Sequence, residues 1–397
     1  MIKFDFSTYV DVFLDKKKYD DYMSKKEMII EKLNYSDMTG WIEKPNPEVI
    51  NEIKNTAEYI KKNYETLVVI GTGGSFLSSY SFNKIFTKYF NDDKFEVIYA
   101  GTSLSSRYLD ELLIYLNNKN FCINVVSKSG TTLETMIAYK LIKDLLKRKY
   151  SQEELKKRII ITTDKEKGIL REEANTYGYK SFIVPDDIGG RYSFITPSHL
   201  LPLAVNYDIY EIIAGYYHGK RLIDYAYQYA VTRRTLFDKK RYVENICIYE
   251  DSLSAFTEWI KQLFGESEGK NGTGILPMAT TNTRDLHSLG QFIQDGNEII
   301  FETFIKVEKS SNYINYNNRS IHEINNIVED SVIKAHFIGH NPCLEIKIES
   351  LTPYNIATLM YFFQLSAAFS AYLFDVNPFD QPGVDIYKKE VKQSLER

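Results

Sequence analysis

Apolar and polar positions alternate in a regular order along residues 46–190. Short apolar runs rich in Val and Ile are each followed by a longer stretch in which apolar residues recur every three or four positions. The first pattern is typical of buried parallel strands and the second of amphipathic helices. The predicted strands are Leu67–Ile70, Val97–Ala100, Phe121–Val126, Ile159–Thr162 and Ser181–Val184. Because parallel neighbours need a crossover connection, this order predicts right-handed β-α-β units and a doubly wound parallel sheet.

A second series of the same kind is predicted in residues 191–375. It closes with a long apolar helix at Pro353–Leu373. Its strands are expected at Ile246–Tyr249, Gly274–Met278, Ile299–Val307 and Val332–Phe337. We therefore predict an α/β protein with four segments: an N-terminal helical arm at 1–45, a first α/β domain at 46–190, a second α/β domain at 191–375, and a C-terminal helix at 376–397.

Composition narrows the class of protein. The 397 residues suffice for two hydrophobic cores, and 44% of them are hydrophobic, which is typical of globular proteins. The net charge is −4 with no basic stripe, so nothing indicates nucleic-acid binding. No run reaches about 18 consecutive apolar residues, so no membrane span is expected. Cys122, Cys247 and Cys343 lie far apart in apolar runs, which predicts buried thiols and a cytoplasmic protein. His336 and His340 are four positions apart, but the glycine, asparagine and proline around them argue against a helix, so no metal site is predicted.

The loop Ser127–Thr132 carries the strongest chemical signal. It follows the predicted strand Phe121–Val126 and precedes a predicted helix, four of its six residues carry hydroxyl groups, and Lys128 adds a positive charge. The first N–H groups of a helix have no partners within the helix, and the helix dipole adds partial positive charge there. The loop therefore predicts an anion site of the kind that takes a phosphate. An ordinary serine- and threonine-rich helix cap is the alternative.

Gly71–Ser75 follows a predicted buried strand, as a dinucleotide-binding turn would. The third glycine of that fingerprint is missing, because Phe76 stands in its place, so a nucleotide site is disfavoured. Both this turn and Ser127–Thr132 are expected at carboxyl ends of parallel strands, where α/β sheets bind ligands. We therefore expect the backbone of the turn and Ser75 to face the same ligand, with a plain glycine turn as the alternative.

Four further motifs carry groups suited to acid–base chemistry or oxyanion binding, and each has a plainer interpretation. Arg191 follows two glycines and brings a fork-shaped cation, although an arginine paired with a surface carboxylate is more common. Glu266 and Glu268 lie at the end of an apolar helical pattern, where a solvated acidic turn is the alternative. His287 stands in a polar approach to a helix and titrates near neutrality, which suits proton transfer, whereas a capping or core histidine is the alternative. Lys388, near the start of the terminal helix, would ordinarily be a surface charge.

Taken in order, these motifs resemble the bacterial type of the glucose-6-phosphate isomerase family. They are G-T-G-G-S at 71–75, S-K-S-G-T-T-L-E-T at 127–135, G-G-R-Y-S at 189–193, G-E-S-E-G-K at 265–270, D-L-H-S at 285–288 and Q-P-G-V-D-I-Y-K at 381–388. The resemblance implies two SIS-type, flavodoxin-like α/β domains with a C-terminal helical segment that contributes to the active site. It further implies a homodimer with shared active sites that uses no metal or cofactor. The implied reaction is the reversible conversion of glucose 6-phosphate into fructose 6-phosphate through an enediolate, in glycolysis and gluconeogenesis.

The same resemblance implies roles for single residues. Glu266 falls at the position of the proton-transferring base, Arg191 at that of the enediolate-stabilising arginine and Gln381 at that of a substrate-contacting glutamine. His287 and Lys388 fall at the ring-opening positions, and in the family the histidine usually comes from the partner subunit. The positions that match the phosphate-binding residues are Gly74, Ser75, Ser127, Lys128, Ser129 and Thr132.

Two other functions are also compatible with the sequence. A regulatory sugar-phosphate sensor would need the phosphate loops but not Arg191, Glu266, His287 and Lys388 together. An isomerase of another hexose 6-phosphate, such as mannose 6-phosphate, or of an amino sugar would have a substrate that differs at C2.

Overall fold

The computed structural model describes residues 2–90, 93–311 and 314–396. The chain divides into two compact units. The first, here called the split unit, is formed by Met1–Ser36 together with Ala214–Arg397. The second, here called the inserted unit, is Asp37–Ile213 and lies between the two parts of the first in the sequence. Within the described residues, each unit has a five-stranded sheet.

The strands and helices cover most of the described chain. The strands are β1 (Ile2–Tyr9), β2 (Thr66–Ile70), β3 (Glu96–Ala100), β4 (Phe121–Val126), β5 (Ile159–Thr163), β6 (Lys180–Ile183), β7 (Val243–Ile248), β8 (Leu276–Thr281), β9 (Ile300–Val307), β10 (Asn315–Tyr316), β11 (Arg319–Ser320) and β12 (Cys343–Ile348). The helices are α1 (Lys16–Ser24), α2 (Lys26–Asn34), α3 (Pro47–Asn63), α4 (Leu77–Phe86), α5 (Ser106–Asn117), α6 (Leu133–Lys149), α7 (Gln152–Arg158), α8 (Ile169–Tyr177), α9 (Pro197–Ala204), α10 (Ile209–His218), α11 (Ile223–Asp238), α12 (Ser254–Glu268), α13 (Gly290–Asp295), α14 (Ile321–Ile338), α15 (Pro353–Leu373) and α16 (Gly383–Leu395).

The sheet of the inserted unit is entirely parallel, with the strand order β3-β2-β4-β5-β6. The central strand β4 pairs through Val125 with Ile70 of β2 and Ile161 of β5, and all its residues are buried. This order is that of flavodoxin-like sheets, and the direction of winding reverses between β2 and β4. The predicted doubly wound α/β fold is confirmed. Ligands of such sheets bind beyond the carboxyl ends of the strands at the reversal, so β2 and β4 mark the expected site.

The sheet of the split unit has the order β1-β12-β9-β7-β8. Four strands are parallel and repeat the winding of the inserted unit, whereas β1 pairs antiparallel with β12 at the edge. A second α/β unit was predicted, but the prediction contained neither β1 nor β12. The N-terminal segment, expected to be a helical arm, begins with a strand of this sheet and continues into α1 and α2.

The strand predicted at Val332–Phe337 is wrong, because these residues belong to α14. The Ser320 side chain caps this helix by accepting a hydrogen bond from the Glu323 N–H at 3.0 Å. Its buried residues Glu329, Ile333 and His336 are spaced by four and three positions, which is the helical period. The expectation that His336 lies outside a helix is wrong for the same reason.

The core of the split unit is built around α15. Its residues from Ile356 to Tyr372 are all buried, and it packs against α11 and α12. It is the one helix in the described ranges that is long and apolar enough to cross a membrane, and 94% of the apolar window is buried inside the protein. A buried central helix explains its composition.

Candidate functional site

The loop after β4 forms a compact, hydroxyl-rich turn at the carboxyl edge of the inserted unit's sheet. The Ser127 hydroxyl, which is buried, accepts a hydrogen bond from the Gly130 N–H at 3.1 Å. The Ser129 hydroxyl accepts from the Thr131 N–H at 3.2 Å. These bonds fold the loop tightly before α6 begins at Leu133.

Thr132 occupies the N-cap position of α6, yet its side chain makes no capping hydrogen bond. The first N–H groups of α6 therefore lack the usual side-chain cap, and the helix dipole places partial positive charge at the same point. A 17-residue helix that begins beside exposed hydroxyl groups is suited to binding an anion.

Lys128 lies on the exposed side of this loop. Its ammonium group forms an ion pair with Asp186 at 2.7 Å, and 43% of its side chain is exposed. Such a pair contributes little stability in water. The lysine charge therefore remains available to an incoming anion that displaces the aspartate.

The Gly71–Ser75 turn follows β2 and contacts the segment that carries Arg191. A Cβ atom at Gly74 would lie 2.3 Å from the carbonyl carbon of Gly190 and 2.7 Å from the backbone nitrogen of Arg191. Only glycine allows this approach of two backbones. Two motifs that are more than a hundred residues apart in the sequence are thus brought together, and the Arg191 side chain beside them is buried.

A buried histidine, His199 on α9, holds the same contact together and was not among the predicted site residues. Its Nε2 atom lies 2.8 Å from the Gly74 carbonyl oxygen and 3.1 Å from the Ser193 hydroxyl. Burial lowers the pKa of His199 to about 4, so the ring is neutral at physiological pH. The sequence signal available was a histidine in an otherwise apolar helix, which is typical of a core residue.

In the split unit, Glu266 and Glu268 lie in the last turn of α12 with different surroundings. Glu266 is half-buried and accepts a hydrogen bond from the Gln262 side chain at 3.3 Å. Glu268 is fully buried. Residues two apart on a helix point in nearly opposite directions, so the inward position of Glu268 turns Glu266 away from the core.

Glu268 belongs to a buried network centred on Arg233 of α11. The guanidinium donates to Glu268 at 2.7 and 2.9 Å and to Glu244 at 2.7 Å, and all three side chains have no exposure. The Ser370 hydroxyl of α15 donates to Glu268 at 2.6 Å. The network therefore ties the end of α12 to α11 and α15, and it fixes the backbone from which Glu266 projects.

The turn after α12 is joined to the segment that carries Gln381. The Lys270 ammonium pairs with Asp380 at 2.8 Å and also donates to the Asn377 carbonyl. Gln381, the next residue after Asp380, is exposed. The loop that follows Glu266 and the segment that precedes α16 are therefore held side by side.

His287 and Lys388 are exposed residues of the split unit. His287 ends a short 3₁₀ turn, Arg284–His287, that follows β8. The Asp285 carboxylate accepts a hydrogen bond from the Thr281 N–H at 2.7 Å, which fixes this turn at the end of the strand. Lys388 lies on α16, a helix without buried residues.

The predicted residues thus form two groups. Those for the phosphate and Arg191 lie in the inserted unit, whereas the split unit carries Glu266, His287, Gln381 and Lys388. Within residues 2–90, 93–311 and 314–396, no group of three or more His, Cys, Asp or Glu side chains is arranged to hold a metal ion.

Comparison with known proteins places the chain among sugar-phosphate isomerases. The sequence model of the family described as phosphoglucose isomerase matches residues 48–331. The glucose-6-phosphate isomerase of Mycoplasmopsis pulmonis is 42% identical over 416 aligned positions, which cover 97% of each chain.

Two solved structures share the fold. A hypothetical protein of Thermus thermophilus superposes with a TM-score of 0.87 at 23% identity, over the whole of both chains. A glucose-6-phosphate isomerase of Chlamydia trachomatis superposes with a TM-score of 0.79 at 19% identity, over 91% of this chain and 77% of the other.

Proposed function

The chain belongs to the phosphoglucose isomerase family and is therefore an enzyme that interconverts glucose 6-phosphate and fructose 6-phosphate, and we propose the residues that carry out this reaction. The observation that carries the proposal is the backbone contact of Gly74 with Gly190 and Arg191, in the turn after β2, the strand that pairs with β4. It joins a suitable anion site to the buried arginine that the reaction needs.

The phosphate of the substrate binds to the loop Ser127–Thr132 and to the Gly71–Ser75 turn. Support comes from the uncapped start of α6 and from the position of both loops after β2 and β4. Lys128 exchanges its partner Asp186 for the phosphate. The bound phosphate holds the sugar in register, so binding energy from a remote group serves the reaction.

Glu266 is the base that moves the proton. It removes the proton from C2 of the open-chain glucose 6-phosphate, which leaves the negative charge of the enediolate on O1. The hydroxyl proton of O2 then moves to O1, and Glu266 returns its proton to C1 as the C2 carbonyl of fructose 6-phosphate forms. Arg191 stabilises that enediolate, and a single donor of this kind contributes about 2.7–4 kcal/mol to a transition state. Support comes from the helix geometry that turns Glu266 outward while Glu268 faces the core. Gln381 contacts the sugar from the segment beside Asp380.

The ring of the substrate is opened before proton transfer by His287 and Lys388, one acting as acid and the other as base. We propose that the protein is a homodimer and that His287 acts in the active site of the partner subunit. The exposure of His287 at the end of β8 supports this assignment. The three buried thiols support a cytoplasmic location.

A coupled assay tests the activity directly. Purified protein receives fructose 6-phosphate in the presence of EDTA, and the glucose 6-phosphate formed is followed with an auxiliary dehydrogenase. We expect turnover that EDTA does not reduce. Absence of glucose 6-phosphate formation by folded protein would refute the function, and mannose 6-phosphate in parallel tests the rival substrate.

The role of Glu266 is tested by Glu266→Gln. The amide keeps the shape and cannot accept a proton, so we expect turnover to fall by about 10²–10⁴-fold while inorganic phosphate still inhibits residual activity. Glu258→Gln is the matched control, because Glu258 is an exposed glutamate of the same helix, paired with Lys261. Near-wild-type turnover of Glu266→Gln would remove Glu266 from the role.

The shared active site is tested by mixing two inactive variants. Glu266→Gln and His287→Gln subunits are unfolded together and refolded. If His287 acts in the partner's site, each mixed dimer regains one intact site, and activity returns to about a quarter of the wild-type value. If His287 acts in its own subunit, every site carries a defect and the mixture stays inactive.

A further inference from the structure

His199 is a fully buried polar residue that none of the proposed catalytic steps uses. It lies on α9, eight positions after Arg191, among the apolar residues Leu200, Leu201 and Leu203. A buried imidazole needs partners for both nitrogen atoms. The partners of His199 belong to the candidate site, which distinguishes it from an ordinary core residue.

The imidazole of His199 connects three separate elements. Its Nε2 atom contacts the Gly74 carbonyl oxygen of the turn after β2 at 2.8 Å and the Ser193 hydroxyl of the Arg191 segment at 3.1 Å. Its Nδ1 atom accepts the Ser79 N–H of α4 at 3.3 Å. The Ser193 hydroxyl itself donates to the Gly190 carbonyl at 2.6 Å.

These contacts determine the tautomer. A backbone N–H can only donate, so Nδ1 carries no proton and Nε2–H donates to the Gly74 carbonyl. Because Nδ1 accepts and Nε2 donates, the ring has one orientation in which both bonds form. His199 thus accepts a hydrogen bond from α4 and donates one to the Gly71–Ser75 turn.

The backbone contact between Gly74 and the Gly190–Arg191 segment leaves no room for a side chain at position 74. Gly74 meets the backbone of Gly190 and Arg191 at distances where a Cβ atom would overlap. Two hydrogen bonds reach the Gly74 carbonyl oxygen beside this approach. One comes from His199 Nε2 at 2.8 Å and the other from the Ser193 hydroxyl at 3.3 Å.

We propose that His199 is a positioning residue that sets the spacing between the Gly71–Ser75 turn and the backbone of Arg191. Through that spacing it aligns the phosphate-binding turn with the arginine that faces the reacting carbons. This inference rests on the proposed function. A misplacement of about 1 Å between such groups can cost about 100-fold in rate.

Three substitutions test the proposal. His199→Gln keeps a donor close to the place of Nε2, so it should retain the bond to the Gly74 carbonyl. His199→Asn reaches only the region of Nδ1, and His199→Leu keeps the volume without hydrogen bonds. Leu203→Ala is the control, since it weakens the packing of α9 without removing a hydrogen bond from either loop.

The readouts are kcat and KM for fructose 6-phosphate, the inhibition constant of inorganic phosphate, and Tm. We expect His199→Leu and His199→Asn to lower kcat/KM by about 100-fold and to weaken phosphate inhibition, with His199→Gln within about fivefold of wild type. Leu203→Ala should lower Tm and leave the kinetics of the folded protein unchanged.

Wild-type kinetics of folded His199→Leu would overturn the proposal. Where that variant does not fold, equal kinetics of His199→Gln and His199→Asn would overturn it. If the wild-type protein does not isomerise fructose 6-phosphate, the proposed function fails. The positioning role is then judged on inorganic phosphate binding alone, measured by calorimetry on the same variants, and equal affinities would refute it.

Discussion

Replacing Arg233 tests how strongly the end of α12 depends on one buried cation. The Arg233 guanidinium bonds both Glu244 and Glu268, and all three side chains are excluded from solvent. In Arg233→Met the two carboxylates stay in the core without their counter-ion. Removing one partner of a buried ion pair costs about 3–5 kcal/mol, mainly because a buried charge is left uncompensated.

The size of the unit converts this cost into a shift of Tm. The split unit contains roughly 220 residues, and unfolding entropy is about 2.1 cal/mol/K per residue. A loss of about 3–5 kcal/mol then lowers the Tm of this unit by about 6–11 °C. Thermal unfolding followed by circular dichroism, with Glu266-dependent turnover measured at 25 °C, gives both the stability and its effect on the site.

Arg107→Met is the control for loss of an arginine. The Arg107 side chain is 87% exposed and pairs with Glu111, so its removal should cost less than about 1 kcal/mol. The double variant Arg233→Met/Glu268→Gln removes one stranded charge and should recover part of the lost stability. An Arg233→Met protein as stable as Arg107→Met would refute the argument that the network supports α12.

Two further predictions concern single charges. Lys128→Ala should raise KM for fructose 6-phosphate by about 3- to 10-fold at constant kcat, because an exposed charge adds only about 1 kcal/mol to phosphate binding, and added salt should shrink the difference; a changed kcat with unchanged KM would contradict it. Burial raises the pKa of Glu329 to about 8 from its ordinary 4.5. The folded protein thus binds a proton that the unfolded chain releases above pH 4.5, so the cost of burying Glu329 grows from pH 4.5 to pH 8 and then levels off. Glu329→Gln should therefore be more stable than wild type at pH 8 and lose that advantage near pH 4.5, as Tm measured across this range will reveal; a pH-independent difference would contradict it.

How well a strand is predicted from the sequence depends on how deeply it is buried. The strands of the inserted unit were placed within one residue at each end. For β2, β4 and β5, which are buried throughout, the reason is that a parallel strand buried on both faces needs an uninterrupted apolar run. The edge strand β1 and its neighbour β12 carry charged residues, such as Asp5, Glu345 and Lys347, within the strand. Because neither strand contains an apolar run, the hydrophobic pattern did not predict them. It predicted a strand at Val332–Phe337, which is part of α14.

The sequence proposes candidate site residues only where their chemical groups stand together in one short motif. The hydroxyl-rich loop at Ser127–Thr132 was predicted from its composition and its place between a strand and a helix, and it does lie between β4 and α6. Its binding of a phosphate is a proposal. His199 was missed, because its partners Gly74 and Ser79 are more than a hundred residues away and only the fold brings them together. The sequence also could not decide which of Glu266 and Glu268 faces inward, since that depends on Arg233 of a different helix.

The pairing of β1 with β12 has a consequence for synthesis on the ribosome. Residues 2–9 emerge from the ribosome more than 300 residues before their partner Cys343–Ile348. Domains generally fold as units during synthesis, so the inserted unit can complete its sheet before β12 is made. During that time β1 has no strand to pair with. Deleting residues 2–9 would uncover the backbone of β12 as an unpaired sheet edge, which invites intermolecular association.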